Sequence, residues 1–245
     1  MIKKLIQFIQ NQKHYLSSDR YIAFLKSKGI KIGNNCIALY PRSISIDVSR
    51  PTLLEIGDNV FLHKGTTIMT HDFASYVFVN KYNEFIPSHG KVKIGNNVWF
   101  GMNCTVLKGV TIGDNCIIGI GSIVTKDIPA NSVAIGNPAK VVCSLDEYFE
   151  KRKKQYLKEC VDYAKSIVLT EKGNSINNES FSDDYILFVD GSNYQDYPYP
   201  YSNVFLNHVL FRPYYTIPVF YSQTMILYWG RFLLQSPNFH FVWDN

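Results

Sequence analysis

The run IGNNVWFGMNCTVLKGVTIGDNCIIGIGSIVTKDI, residues 94–128, keeps a period of six. Ile94, Phe100, Val106, Ile112, Ile118 and Val124 fall six apart without a break, and glycine follows four of them, at Gly95, Gly101, Gly113 and Gly119. Four places after each bulky residue stands something small or β-branched: Val98, Cys104, Val110, Cys116, Ser122, Ile128. An amphipathic helix repeats at about 3.6 residues and a half-buried strand at about 2, so neither explains this spacing. A triangular coil does. Each hexad supplies one short strand and one tight turn, three hexads close a coil, the bulky aliphatic points inward, and Gly or Asn takes the corner conformations. Stacked coils pair every strand with those above and below, so only the end coils keep open edges.

The same phase runs upstream through Ile56, Leu62 and Ile68, and again in IGNN at 32–35. From Ile68 to Ile94 the separation is 26, not a multiple of six, so something is extruded. Residues 72–91, DFASYVFVNKYNEFIPSHGK, lack the hexads and read as a loop leaving the coil just after His71. A smaller irregularity around Pro41 to Pro51 disturbs the first coils.

Residues 1–29 read as helical, with Ser17, Ser18 and Asp19 as candidate caps and Gly29 as a stop. Residues 144–168 read as a long helix with Ser144 as N-cap and Glu147 completing a capping box. A polar linker at 171–184 follows, and then an aromatic-rich tail, 185–245, expected to form a small core against the prism.

The composition, 46% hydrophobic over 245 residues, supports a buried core and excludes a disordered or collagen-like chain. Twenty-five basic against 20 acidic residues is a mild excess that does not point to nucleic acid. The five cysteines, without a CxxC pair, read as free thiols in a reducing compartment, most simply the cytoplasm. The N-terminus lacks a signal-peptide pattern, and no segment reaches the roughly 18 apolar residues of a membrane span.

Two segments, IGDNVFLHKGTTIMTHD at 56–72 and the stretch from Ile94 to GNPAKVV at 136–142, together resemble the hexapeptide-repeat acyltransferases. The VWFG, VTIGD, GSIVTKDIP and GNPAK elements carry the likeness, above all to maltose and galactoside O-acetyltransferases and polysaccharide-biosynthesis acetyltransferases. The resemblance implies a mainly β protein, a left-handed parallel β-helix over 30–142 with the extruded loop 72–91. A helical segment at 1–29 precedes it, and a helical, aromatic-rich extension at 143–245 follows. It also implies a homotrimer with active sites between prisms, acetyl-CoA as acyl donor and a sugar or saccharide as acceptor.

Within that likeness His71, in THD, is the general base, immediately before the loop found from the break in phase. Trp99 would line the pantetheine path, Met102 and Ile120 hold places where the family offers backbone groups to the pantetheine arm, and Thr125, Lys126 and Lys140 would meet the coenzyme A end, the lysines facing phosphates. On the acceptor side the spacing departs from the sugar acetyltransferases; Asp47 is a possible counterpart of their binding residues, and His89, near the loop's end, could touch substrate. His63 reads as a structural corner residue. No metal is expected, because His63, His71 and His89 lack the close pairing of the zinc-binding carbonic anhydrases of this fold. A non-enzymatic scaffold, an N-acetyltransferase of an amino sugar, and an acetyltransferase of an antibiotic or of serine are the rival readings.

Overall fold

The computed structural model describes residues 13–170. In it the hexads wind into stacked three-faced coils. The first coil carries β1 (Lys31–Ile32), β2 (Ile37–Ala38) and β3 (Ser45–Ile46), and the second β4 (Leu54–Ile56), β5 (Phe61–Leu62) and β6 (Thr67–Ile68). An arm then leaves the prism: β7 (His71–Asp72), a helix (Ser75–Tyr82) and β8 (Ser88–His89). The third coil resumes with β9 (Val92–Ile94), β10 (Val98–Phe100) and β11 (Thr105–Val106), and the fourth holds β12 (Thr111–Ile112), β13 (Cys116–Ile118) and β14 (Ile123–Val124). The last turn ends in a hairpin of β15 (Ser132–Gly136) and β16 (Ala139–Ser144).

Successive strands visit three parallel sheets in rotation. The first face is β1-β4-β9-β12, the second β2-β5-β10-β13-β15 with β16 added at its end, and the third β3-β6-β11-β14. In the regular part, residues paired in register lie eighteen apart: Ile94 with Ile112, Phe100 with Ile118, Val106 with Val124. Where the arm interrupts, Ile56 pairs with Ile94, thirty-eight residues on, so the coil absorbs twenty extra residues without losing register. The final coil is tightened instead, Ile112 bridging to Ile128.

Both members of each hexad pattern face inward. Ile94, Phe100, Val106, Ile112, Ile118 and Val124 are buried, and so are Val98, Cys104, Val110, Cys116, Ser122 and Ile128. Strands this short bury one or two side chains each, so stability comes from the continuous column they form down the axis.

The corners follow from IGNN and IGDN. Asn35, Asn59, Asn97, Asn115 and Asn131 all take left-handed backbone, which Asn tolerates, and their amides stack: Asn97 donates to Asn115 (2.8 Å) and Asn115 to Asn131 (3.0 Å). Gly95 sits where the next coil passes beneath it; a Cβ there would lie 2.7 Å from the carbonyl carbon of Gly113.

At the N-terminal end a helix, Ser18–Ser27, starts on Ser17, whose hydroxyl accepts from the Arg20 N–H, and buries Tyr21, Ile22 and Leu25. Ser18 Oγ accepts the N–H of Ala38 (2.9 Å), satisfying a donor on the strand that ends its sheet among the described residues. At the other end β16 runs antiparallel to β15 and covers that edge. The helix Leu145–Thr170 then opens on a reciprocal cap, Ser144 N–H to Glu147 Oε2 (2.8 Å) and Glu147 N–H to Ser144 Oγ (3.2 Å).

The chain divides into two units, Met1–Lys151 and Arg152–Asn245. In the second, Arg152 pairs with Glu159 on the helix (2.6 Å). The expected linker 171–184, the aromatic-rich tail and residues 1–12 of the N-terminal segment lie outside the described residues.

The extruded loop 72–91 has structure of its own, a hairpin root and an eight-residue helix, Ser75–Tyr82, stopped by Asn83 in the left-handed region with its N–H on Val79 O. Loss of the hexad period shows where the coil stops and says nothing of what replaces it; Asn83 in the stop position was the available signal.

Candidate active site

The arm leaves at the corner between the third and first faces, and the residues at that corner are stacked coil on coil. Asp47 follows β3 in the first coil, Met69 and Thr70 follow β6 in the second, Leu107 and Lys108 follow β11 in the third, and Thr125 and Lys126 follow β14 in the fourth. Backbone bonds keep the column in step: Asp47 N–H to Ile68 O (3.0 Å), Met69 N–H to Val106 O (3.0 Å), Leu107 N–H to Val124 O (3.0 Å).

His71 is drawn down onto this column. Its Nδ1 lies 2.5 Å from Asp47 Oδ2, and the buried Thr70 hydroxyl donates to the same oxygen. The other oxygen, Oδ1, accepts from Ser49 N–H (2.9 Å) and Ser49 Oγ–H (2.6 Å). Burial alone would raise the Asp47 carboxyl, but the Ser49 and Thr70 hydroxyls, the Ser49 N–H and the imidazole outweigh it and hold it well below the usual carboxylate range. A carboxylate only accepts, so Nδ1 is the donor and Nε2 is the ring nitrogen left for another partner. The His71 side chain is about one-third exposed, at 32%, against 11% for Asp47. The arrangement is an imidazole held from behind by a carboxylate.

His89 faces His71 across the antiparallel pairing of β7 and β8. Gly90 N–H bonds to Thr70 O (2.9 Å), which makes this the non-hydrogen-bonded type of pair, so both side chains leave the ladder on one face. The next pair, Asp72 with Ser88, points the other way, and there Asp72 meets Lys108. The Lys108 ammonium, the Ala74 N–H and the Ser88 hydroxyl together lower the Asp72 carboxyl.

The other predicted residues lie elsewhere on the prism. Trp99 projects from the second face in register between Phe61 and Ile117, 38% exposed. Met102 and Ile120 stack at the corner of the second and third faces, where Gly121 N–H reaches Met102 O (2.8 Å), and both are exposed. Thr125 and Lys126 are exposed at the His71 corner, two coils further along, about 10 Å at the usual strand spacing. Lys140 is exposed on β16. One chain therefore brings together Asp47, His71 and His89, aligns Thr125 and Lys126 above them, and leaves Trp99, Met102, Ile120 and Lys140 on other surfaces.

His63 sits at the second–third corner with Nδ1 accepting from Lys64 N–H (2.7 Å). Among the described residues no three His, Cys, Asp or Glu side chains converge as a metal-binding set.

The profile of the bacterial transferase hexapeptide, six repeats, matches residues 91–126. Protein CapG of Staphylococcus aureus is 38% identical over 175 residues, 70% of this chain and 92% of that protein. The chain belongs to the hexapeptide transferase family. The galactoside O-acetyltransferase of Escherichia coli K12 is 37% identical over 126 residues, 51% of this chain and 59% of its own length. A solved galactoside acetyltransferase in complex with coenzyme A aligns at 28% identity over 58% of this chain and 78% of that one, with a TM-score of 0.39. On its relatives, this hexapeptide transferase is an acyltransferase.

Two features of the hexapeptide transferase corner were not legible in the sequence. Asp47, read there as an acceptor-side residue, spends both oxygens on Ser49, Thr70 and His71. Lys108 was not singled out at all. In both cases the partners are 24 and 36 residues apart in sequence, and the intervals cross the two irregular stretches that break the hexad count.

Proposed function

We propose that this protein is an acetyl-CoA-dependent O-acetyltransferase that acetylates a hydroxyl of a saccharide or saccharide precursor. In this reading it works in the cytoplasm as a homotrimer of left-handed β-helices. The observation that carries the reading is the Asp47–His71 pair at the root of the arm, a base held by its Nδ1 with Nε2 left for substrate. His71 Nε2 takes the proton of the attacking hydroxyl while its oxygen bonds to the thioester carbonyl carbon. Collapse of the tetrahedral adduct breaks the C–S bond, and Nε2 returns the proton to the departing thiolate, so the ester and free thiol form with no acyl-enzyme. Asp47 stabilises the imidazolium between these steps and stays ionised throughout.

The residues present suit the donor. Trp99 offers exposed apolar surface to a pantetheine arm, the corner residues Met102 and Ile120 offer it backbone groups, and Lys126 and Lys140 are exposed charges for its phosphates. Because Trp99, Met102, Ile120 and Lys140 are apart from the His71 corner within one chain, a cleft between neighbouring prisms is the arrangement that joins them. His89 is then the acceptor-side residue beside the base.

The test is to incubate wild type and His71→Ala with acetyl-CoA and a panel of nucleotide sugars, free sugars and polysaccharide fragments, following thiol release and product mass. Transfer by wild type and a loss of roughly 10²-fold or more in the variant is the expected result. Full activity in the variant would remove His71 as the base; no transfer or acetyl-CoA binding by wild type would favour a scaffold.

A further inference from the structure

The root of the arm is fastened from outside its own coil. Three consecutive residues are tied to two different neighbours: Thr70 and His71 reach down to Asp47 in the first coil, and Asp72 reaches up to Lys108 in the third. Asp72 Oδ1 also accepts the Ala74 N–H (3.1 Å), which turns the chain out toward the helix of the arm. The backbone adds a second contact, because Gly90, where the arm returns, lies directly against Lys108 and Gly109. A Cβ on Gly90 would stand 2.8 Å from Gly109 N and 2.9 Å from its Cα. The corner of the third coil is thus the seat on which both strands of the arm's root rest.

Lys108 and Asp72 are each about one-third exposed, at 31% and 33%. A pair this open contributes little to global stability, so its consequence is local geometry. The two faces of the β7–β8 ladder are mechanically one piece. Tilting the Asp72–Ser88 face moves the His71–His89 face with it.

We propose that Lys108 is a positioning residue for acetyl transfer: by holding Asp72 against the third coil, it sets the angle at which His71 and His89 meet the acceptor. The inference rests on His71 being the base. A misplacement of about 1 Å can cost on the order of 10²-fold in rate, so partial loosening of the root affects turnover before donor affinity.

The experiment compares wild type, Lys108→Met, Lys108→Arg and the double variant Asp72→Asn with Lys108→Met. Steady-state kinetics is read together with amide hydrogen exchange on the full chain. Lys108→Met should lower kcat about 10-fold and leave KM for acetyl-CoA within about twofold, with Lys108→Arg recovering most of the loss. The double variant should be no slower than Lys108→Met, since both changes open one contact. Amides of residues 73–89 should exchange faster in Lys108→Met while those of the third and fourth coils stay protected.

Unchanged kcat with an unchanged arm overturns the proposal. So does a loss confined to KM for acetyl-CoA, which would make Lys108 a donor contact, or a general loss of coil protection, which would make it a folding residue. If wild type transfers no acetyl while Lys108→Met still loosens the arm, the catalytic reading falls and the latch itself stands.

Discussion

Asp47 receives four hydrogen bonds on one carboxylate, from Ser49 N–H, the Ser49 and Thr70 hydroxyls and His71 Nδ1. That commitment has a pH signature with a definite sign. The folded-state pKa is depressed below the unfolded value of about 3.9, so the stabilisation is fully present above that value and is lost as pH falls through the lower, folded one. Asp47→Asn should therefore lower the urea midpoint at pH 7, and the gap from wild type should narrow only once the pH drops below about 4. A gap that stays constant as the pH falls from 7 to well below 4 would show that the fold does not depress the Asp47 carboxyl. At this scale the sequence picked out His71 through THD and the loss of phase after it, but not the group behind it. Asp47 lies in the irregular first coil, where Ile46 pairs with Ile68 at a separation of 22 and counting in sixes does not hold.

The repeating element is a two- or three-residue strand followed by a corner, and the corner is the less forgiving half. Inward positions vary on two faces, Leu62, Phe100 and Ile118 on the second and Ile68, Val106 and Val124 on the third, whereas Gly33, Gly57, Gly95 and Gly113 stand where the next coil crosses close by. Gly95→Ala must push against the Gly113 backbone, and a destabilisation of about 1–3 kcal/mol is expected, read as a lower urea midpoint with an unchanged slope. An unaltered midpoint would mean the coils separate at that corner without cost. The arm shows the opposite case. Phe73, Tyr76, Val77, Tyr82, Phe85 and Ile86 are all more than half exposed on it, a pattern that no hexad rule anticipates, because the arm's conformation is set by its own helix and by the seat on Lys108–Gly109.

For the whole molecule, the second face matters most. Phe61, Trp99 and Ile117 form an outward register on it, and Trp99, Met102 and Ile120 stay exposed in the single chain. A face of this kind, remote from His71 on its own prism, is completed by a neighbouring one in the trimer proposed above. Sedimentation equilibrium should then give about three times the 28.1 kDa chain mass. A monomer that retains full transfer would remove the shared cleft and require the donor to reach His71 along one prism.

What the sequence determined by itself was the coil: period six with Gly and Asn at the corners admits one way of burying an apolar residue in every hexad, and Ile94 to Val124 show it without a break. It also located the arm, since 26 residues between Ile68 and Ile94 cannot be absorbed by whole hexads. Only the tertiary structure decided what the corner beside the arm contains. Asp47, His71 and Lys108 belong to three different coils, and which side chains meet across coils depends on how many residues each irregular turn consumes. Local periodicity sets the inward column because every hexad repeats the same steric demand; the contacts of the site occur once, between residues brought level only by stacking.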